Sequence, residues 1–337
     1  MNKFLIITSI FEPSEAVKKF SNLLKDWKIV IVADTKTPKR WNLKSNNIIF
    51  LSLEEQKKLP FKIVKHLPFN NYARKNIGYL YAISKGADII AETDDDNIPY
   101  NFWEKELIKQ LSCNKFDILC TKKNDFFINI YGLFTRKKVW PRGFPIQYVN
   151  KSLRPFLKKE EEAKIAVYQF LADLDPDVDA IYRLTVGKEI IFNKKNGFVL
   201  NKGLFSPFNS QNTVFIKIFF PLLYLPVNVS IRATDIYRSY IVQRIVWEFN
   251  YLIFFGKATV YQKRNIHNYL RDFELEIPVY LNVEKIARIL SNLKFKEKDI
   301  YKMIKEVYNV LIEEDIIPKK ELIILNAWID DCKGLNM

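Results

Sequence analysis

Asp88-Ile89-Ile90-Ala91-Glu92-Thr93-Asp94-Asp95-Asp96-Asn97-Ile98-Pro99 is the stretch around which this chain is organised. A short apolar run breaks into three adjacent carboxylates, then Asn97 and a proline that stops any regular element. The isoleucines read as a buried strand, and the acids fall where that strand leaves the core. In an open α/β sheet, ligands bind outside the carboxyl ends of the strands. Three like charges at one strand end repel one another and are stable only when solvated or neutralised by a cation. Carboxylate oxygens are hard ligands, so Mg²⁺ or Mn²⁺ is the expected ion. Asp94 and Asp96 flank Asp95, and alternate side chains of an extended segment point the same way, so this pair suits one divalent ion. A plain solvated acidic turn is the competing reading, and context decides between them.

The context is strand–helix alternation. Lys3 to Ile10 is apolar throughout, the habit of a buried parallel strand. Ser14 reads as the N-cap of a helix running to about Lys25. Strands are expected at Lys28 to Ala33 and Asn47 to Leu53, with a short helix at Glu54 to Lys58. Asn71 to Ala87 predicts an amphipathic helix, with Ala73, Ile77 and Leu80 on one stripe. Together these argue a Rossmann-like α/β half with right-handed crossovers. Further on, a helix is expected over Phe102 to Leu111, and strands over Phe116 to Thr121 and Phe126 to Phe134. Val139 to Pro145 reads as a proline-stiffened loop, and Lys151 to Lys164 as a charged surface excursion. A long helix is expected from Thr234 to about Phe254, and helices again from Val283 onward. The apolar run Val214 to Val229 carries Lys217, Pro221 and Pro226, so it does not read as a membrane span.

With 337 residues, 48% apolar and 15% aromatic, the chain is globular rather than disordered. A net charge of +15 invites phosphate-bearing ligands or an anionic membrane surface. The lysines are scattered and form no nucleic-acid signature, so no nucleic-acid partner is expected. Three cysteines, none in a CxxC pair, argue against a disulfide framework and for a reducing compartment. The N-terminal apolar stretch is too short for a signal peptide and no small-residue cleavage site follows it. A cytoplasmic location, with peripheral contact at a membrane, is the expectation.

Several longer strings occur in order. After Asp94-Asp95-Asp96-Asn97 come Trp140-Pro141-Arg142-Gly143-Phe144-Pro145 and Ala172-Asp173-Leu174-Asp175-Pro176-Asp177-Val178-Asp179-Ala180-Ile181-Tyr182-Arg183. Phe208-Asn209-Ser210-Gln211-Asn212-Thr213 and Arg232-Ala233-Thr234-Asp235-Ile236-Tyr237-Arg238 follow. This set resembles the STELLO-like glycosyltransferase family, first described as a domain of unknown function, over about Lys3 to Pro278. The tail after Val283 shows no matching string. The plant members begin with a membrane span that is not seen here, which favours a bacterial or viral setting over a Golgi one.

The resemblance implies a GT-A domain over residues 1–280 and a helical extension over 281–337. It implies metal-dependent transfer of a sugar from a nucleotide donor, UDP-sugars favoured, to a glycan or lipid-linked acceptor, with inversion. In that frame Asp94 and Asp96 hold the Mn²⁺ or Mg²⁺ on the donor diphosphate, and His267 is a candidate third ligand. The donor slot is assigned to Thr8, Asp34, Arg74, Lys75, Asp94, Asp95 and Arg142. Asp34 is placed on the base; its alternative is a turn leading to Pro38. Arg74 and Lys75 open the helix before the acids, where a basic helix start suits phosphate. Asp235, beside Thr234 at a helix start, reads either as an ordinary cap or as the base that deprotonates the acceptor. Asp175, Asp177, Asp179, Arg232 and Arg238 are assigned to the acceptor or donor sugar; a second cation site or a plain turn built on Pro176 are the alternatives for the Asp173–Asp179 string, and Arg238 is also able to pair with Asp235 at i,i+3. Two other readings stand beside this one. A nucleotide-sugar mutase resembling the reversibly glycosylated proteins would interconvert free nucleotide sugars. A non-catalytic scaffold of a glycan-synthesis complex would show no metal-dependent donor binding.

Overall fold

The computed structural model describes residues 1–43, 45–121, 126–151, 155–263 and 268–337. Its strands among those residues are β1 (Lys3–Ser9), β2 (Trp27–Ala33), β3 (Ile48–Leu51), β4 (Ile89–Asp94), β5 (Asn97–Pro99), β6 (Lys115–Cys120), β7 (Phe156–Glu162), β8 (Lys164–Leu174), β9 (Phe198–Leu200), β10 (Asn212–Ile216) and β11 (Tyr251–Gln262). The helices are α1 (Glu15–Leu23), α2 (Leu53–Lys57), α3 (Lys75–Ser84), α4 (Trp103–Ser112), α5 (Tyr131–Phe134), α6 (Ala180–Thr185), α7 (Thr234–Val246), α8 (Tyr269–Asn292), α9 (Ile300–Glu313) and α10 (Glu321–Gly334).

One sheet carries the molecule, in the order β3-β2-β1-β4-β10-β8-β11-β9-β6-β7, with β5 paired to β11. The first four strands are mutually parallel, and β10 runs antiparallel between β4 and β8. This is the expected Rossmann-like half, and the mixed sheet with helices on both faces is consistent with the GT-A class. The apolar run of β1 is buried on both sides because successive side chains alternate faces. Phe4 and Ile6 enter one core, while Leu5 and Ile7 enter the other. Gly78 lets α3 lie close on the sheet: a Cβ there would stand 2.5 Å from Ile6 Cγ2 and 2.8 Å from Val32 Cγ2.

Four expectations are revised. Phe126 to Phe134 forms no ladder strand among its described residues; Phe127 makes an isolated bridge to Phe205, and Tyr131–Phe134 is helical. The expected helix from Thr234 to Phe254 ends at Val246. The chain then turns through Asn250, at φ +59°, into the twelve-residue strand β11. The surface excursion contains the exposed edge strand β7. The boundary expected at 280/281 falls inside α8, which passes through it without interruption. Its physical reason is a shared core: Val283, Leu290, Ile304 and Trp328 belong to the same apolar cluster as Ile6, Ile77 and Ile236. Among the described residues no helix is long and apolar enough to cross a membrane.

Candidate active site

The carboxyl ends of β1, β2 and β4 meet at one sheet edge, where Thr8 pairs in register with both Val32 and Asp94. A cavity of about 390 Å³ opens there, lined by Thr8, Ser9, Asp34, Lys36, Arg74, Asp94, Asp95, Asp96, Arg232 and Gln262, among others. The three acids divide between partners. Asp94 Oδ1 accepts from the Tyr72 hydroxyl at 2.7 Å and from Lys75 Nζ at 3.2 Å. Asp95 accepts from the Ser9 hydroxyl. Burial pushes the Asp95 carboxyl up to about 6, and the neighbouring charge of Asp94 adds to this against the Ser9 hydrogen bond. Asp96 Oδ2 accepts from Gln262 Nε2 at 2.8 Å, the last side chain of β11. Gln262 is not among the expected site residues, because the strand that carries it is not expected from the sequence, its first residues up to Phe254 reading as the end of a helix; its β-branched and aromatic run is the signal that finds it.

Lys75 does not project from a helix start into the cavity. It is fully buried under the acids, donating to the Tyr72 hydroxyl at 2.5 Å and the Thr93 carbonyl at 2.9 Å. Arg74 lines the cavity, yet Nη2 donates to Gln56 Oε1 and Nη1 to the Leu67 carbonyl at 3.2 Å, with its plane over Phe69. Asp34 also lines the cavity. Its Oδ1 accepts the amides of Thr35 and Asn70 at 2.7 and 2.9 Å, and its Oδ2 accepts the Asn71 amide at 3.2 Å. In this state it anchors the loop that leads into α3. His267 lies outside the described residues.

A second cavity of about 250 Å³ adjoins the first, and the two share Tyr72, Asp94, Ile231, Arg232 and Gln262. Arg142 and Asp235 form its wall. Gly143, at φ +84°, lets the loop press against α7, since a Cβ there would stand 2.3 Å from Ile236 Cγ2. Arg142 Nη1 and Nη2 donate to Asp235 Oδ1 and Oδ2 at 3.1 and 3.0 Å. Its Nε and Nη2 donate to Asp177 at 2.8 and 2.7 Å, and Nη1 also donates to the Arg232 carbonyl. A guanidinium has five N–H donors, so every one is occupied by protein. Asp235 Oδ2 further accepts from the Ser210 amide and hydroxyl at 3.2 and 3.1 Å. Burial would raise the Asp235 carboxyl, but Arg142 overcomes it and holds the group well below the usual carboxylate range. Ser210 in turn touches the Tyr72 hydroxyl at 2.6 Å, so a chain of hydroxyls links Asp235 to Asp94.

The acidic string is mostly engaged with partners inside the protein. Asp173 accepts from Tyr100 at 2.9 Å and from the Phe192 amide at 2.9 Å. Asp175 pairs with Arg183, and Asp177 with Arg142. Asp179 is fully buried away from both cavities, capping α6 through the Tyr182 amide at 2.8 Å and accepting the Trp140 indole N–H at 2.6 Å. Arg238 likewise leaves the site: it lies behind β4, paired with Glu92 at 2.5 and 3.1 Å instead of with Asp235. Its neighbour on α7, Arg244, donates to the Leu290 carbonyl at 2.8 Å and the Leu293 carbonyl at 2.5 Å, at the end of α8. Among the described residues no three His, Cys, Asp or Glu side chains are arranged as a ready metal cluster.

The family model for STELLO glycosyltransferases matches residues 232–337. Two curated proteins of Arabidopsis thaliana, named Probable glycosyltransferase STELLO2 and Probable glycosyltransferase STELLO1, are 29% and 28% identical to this chain over 98% of its length. The chain spans 44% of the length of each. A solved structure titled Crystal Structure of a Mycobacterial Protein aligns with a TM-score of 0.40 and 6% identity, covering 85% of this chain and 74% of that one. The resemblance to the STELLO glycosyltransferases is borne out. It also reaches through the C-terminal helices, where the sequence strings had shown no match.

Proposed function

We propose that this chain, similar along nearly all of its length to the STELLO glycosyltransferases, is itself a nucleotide-sugar-dependent glycosyltransferase with an inverting mechanism. The observation that supports it best is the meeting of two cavities at the acidic end of β4, one on the nucleotide-binding side of the sheet and one against α7. The first suits a nucleoside diphosphate, and the second an acceptor hydroxyl.

The donor set at the strand end fits a divalent ion. Asp94, Asp95 and Asp96 line one cavity with hard oxygen donors, the ligand type a divalent ion takes. Asp94 and Asp96 would hold the ion, which when bound supplies Lewis-acid stabilisation of the departing diphosphate. Lys75 compensates Asp94 from below, and Ser9 orients Asp95.

In the transfer, the acceptor oxygen bonds to the anomeric carbon as the bond from that carbon to the donor phosphate oxygen breaks. The electron pair leaves with the nucleoside diphosphate, and the acceptor proton passes to Asp235. Four donors already surround the Asp235 carboxylate, and the rotatable Ser210 hydroxyl is the one the acceptor hydroxyl replaces. A carboxylate held so acidic is a weak base at rest. It orients the nucleophile first and takes the proton late, once bond formation has acidified the hydroxyl.

Calorimetric titration of UDP-sugars with Mn²⁺ tests the reading. Asp94→Ala and Asp96→Ala should each abolish metal-dependent donor binding while leaving the fold intact. Unchanged donor affinity in both variants would sink the proposal.

A further inference from the structure

The cations near the cleft differ in what they have left to offer. Arg142 has all five donors occupied, and Lys75 is buried beneath Asp94. Lys36 lies on the open rim of the nucleotide side. Arg232 lines both cavities at their junction. Its Nε and Nη2 donate to the same oxygen, Oε1 of Glu276, at 2.9 and 2.6 Å. Nη1 has no partner among the described residues, so two N–H donors on the outer edge remain available.

Glu276 lies on α8 and is fully buried. Besides Arg232, it accepts from the Ala180 amide at 2.7 Å and the Tyr280 hydroxyl at 2.6 Å, both through Oε2. The carboxylate therefore joins α8, the first turn of α6 and the segment entering α7. A guanidinium is planar, so gripping one edge fixes the direction of the other. A buried carboxylate without its cation is costly, so the placement of each group depends on the other.

We infer that Arg232 contacts the donor diphosphate at the junction of the two cavities, and that Glu276 is its positioning residue, reaching in from α8. This rests on the glycosyltransferase reading of the cleft. As the bond from the anomeric carbon to the phosphate oxygen breaks, the electron pair stays on that oxygen. The open edge of Arg232 meets the growing charge with charge-assisted hydrogen bonds. The acceptor hydroxyl is neutral and already has Asp235, whereas an ion-paired guanidinium with a free edge matches an anion. The first half of α8 then takes part in the active site through Glu276.

The test titrates inorganic pyrophosphate and UDP, each with Mn²⁺, and uridine alone, by calorimetry. Arg232→Gln and Glu276→Gln should each weaken pyrophosphate and UDP about ten- to a hundredfold, the scale of a hydrogen bond to a charged group. Uridine affinity should not change, and the double variant should lose no more than Arg232→Gln alone. Arg232→Lys keeps a cation for Glu276 but leaves no open edge, so it should show the same pyrophosphate loss even if Glu276→Gln fails to fold. Unchanged pyrophosphate affinity in Arg232→Gln and Arg232→Lys overturns the contact. Additive losses in the double variant, or equal losses for uridine, overturn the positioning role. A wild-type protein that binds neither pyrophosphate nor UDP brings down the glycosyltransferase reading and this inference with it.

Discussion

Arg142 and Asp235 face each other as a two-pronged ion pair, Nη1 to Oδ1 at 3.1 Å and Nη2 to Oδ2 at 3.0 Å, while the far edge of the same guanidinium grips Asp177. One buried cation thus holds two carboxylates from different parts of the chain. Pairs of this kind are costly to break, about 3–5 kcal/mol when one partner is removed, because the survivor is left as an uncompensated charge. They also hold geometry tightly, which suits the wall of the acceptor site proposed above.

Asp235→Asn separates aim from chemistry. Asn is nearly isosteric and still accepts one prong from Arg142, while Asp177 keeps the guanidinium paired. Transfer should fall by about 10²–10⁴-fold in kcat if Asp235 takes the acceptor proton, with donor affinity unchanged. Steady-state kinetics beside donor calorimetry decide it. Near-normal turnover would leave Asp235 as a partner of Arg142 only. Asp177, which also lines the smaller cavity, is the next residue to substitute, with Asp175 after it.

Asp179 should make stability depend on pH. Burial lifts its carboxyl from 3.8 to about 6, against the lowering effect of the Tyr182 amide and the Trp140 indole. The folded state therefore holds this proton more tightly than the unfolded chain between about pH 4 and 6. Stability from this group is present below that window and is lost as pH rises through it. The stability difference between wild type and Asp179→Asn should grow in favour of wild type from pH 7 to pH 4, by about 3 kcal/mol at most. Urea unfolding of both proteins across that range measures it, and a flat difference would contradict the buried, proton-holding carboxyl.

Glu321 should hold the last helices onto the sheet domain. It is fully buried at the start of α10, accepting from the Tyr224 hydroxyl at 2.5 Å, the Val227 and Asn228 amides at 2.8 and 2.7 Å, and Asn228 Nδ2 at 2.8 Å. Glu321→Ala leaves those donors without a partner, at about 1–3 kcal/mol for each one that stays dry. A lower unfolding temperature and faster exchange of the Val227 and Asn228 amides are expected. Exchange unchanged at those amides would show that the carboxylate is not their anchor.

Much of the first half was legible in the chain itself. Apolar runs at Lys3 and Ile89 can satisfy their backbones only as buried strands, and three carboxylates can stand together only at an exposed or cation-bearing strand end. Ser14 at the start of α1 is equally local, since a cap acts over a few residues; the one-sided stripe expected of α3 is not, because the fold buries all of that helix but Tyr81 and Ser84. The strand β11 was not legible, because aliphatic and aromatic residues after α7 continue a helical reading until the chain turns at Asn250. The partners of the charged residues were decided by tertiary structure alone. Arg142 meets Asp235 across 93 positions, Arg238 meets Glu92 across 146, and Arg232 meets Glu276 across 44. A carboxylate in the sequence declares only that it needs a cation, donors or water. Which of these it receives depends on what the fold brings within about 3 Å, because a hydrogen bond is that short while the chain between the partners is long.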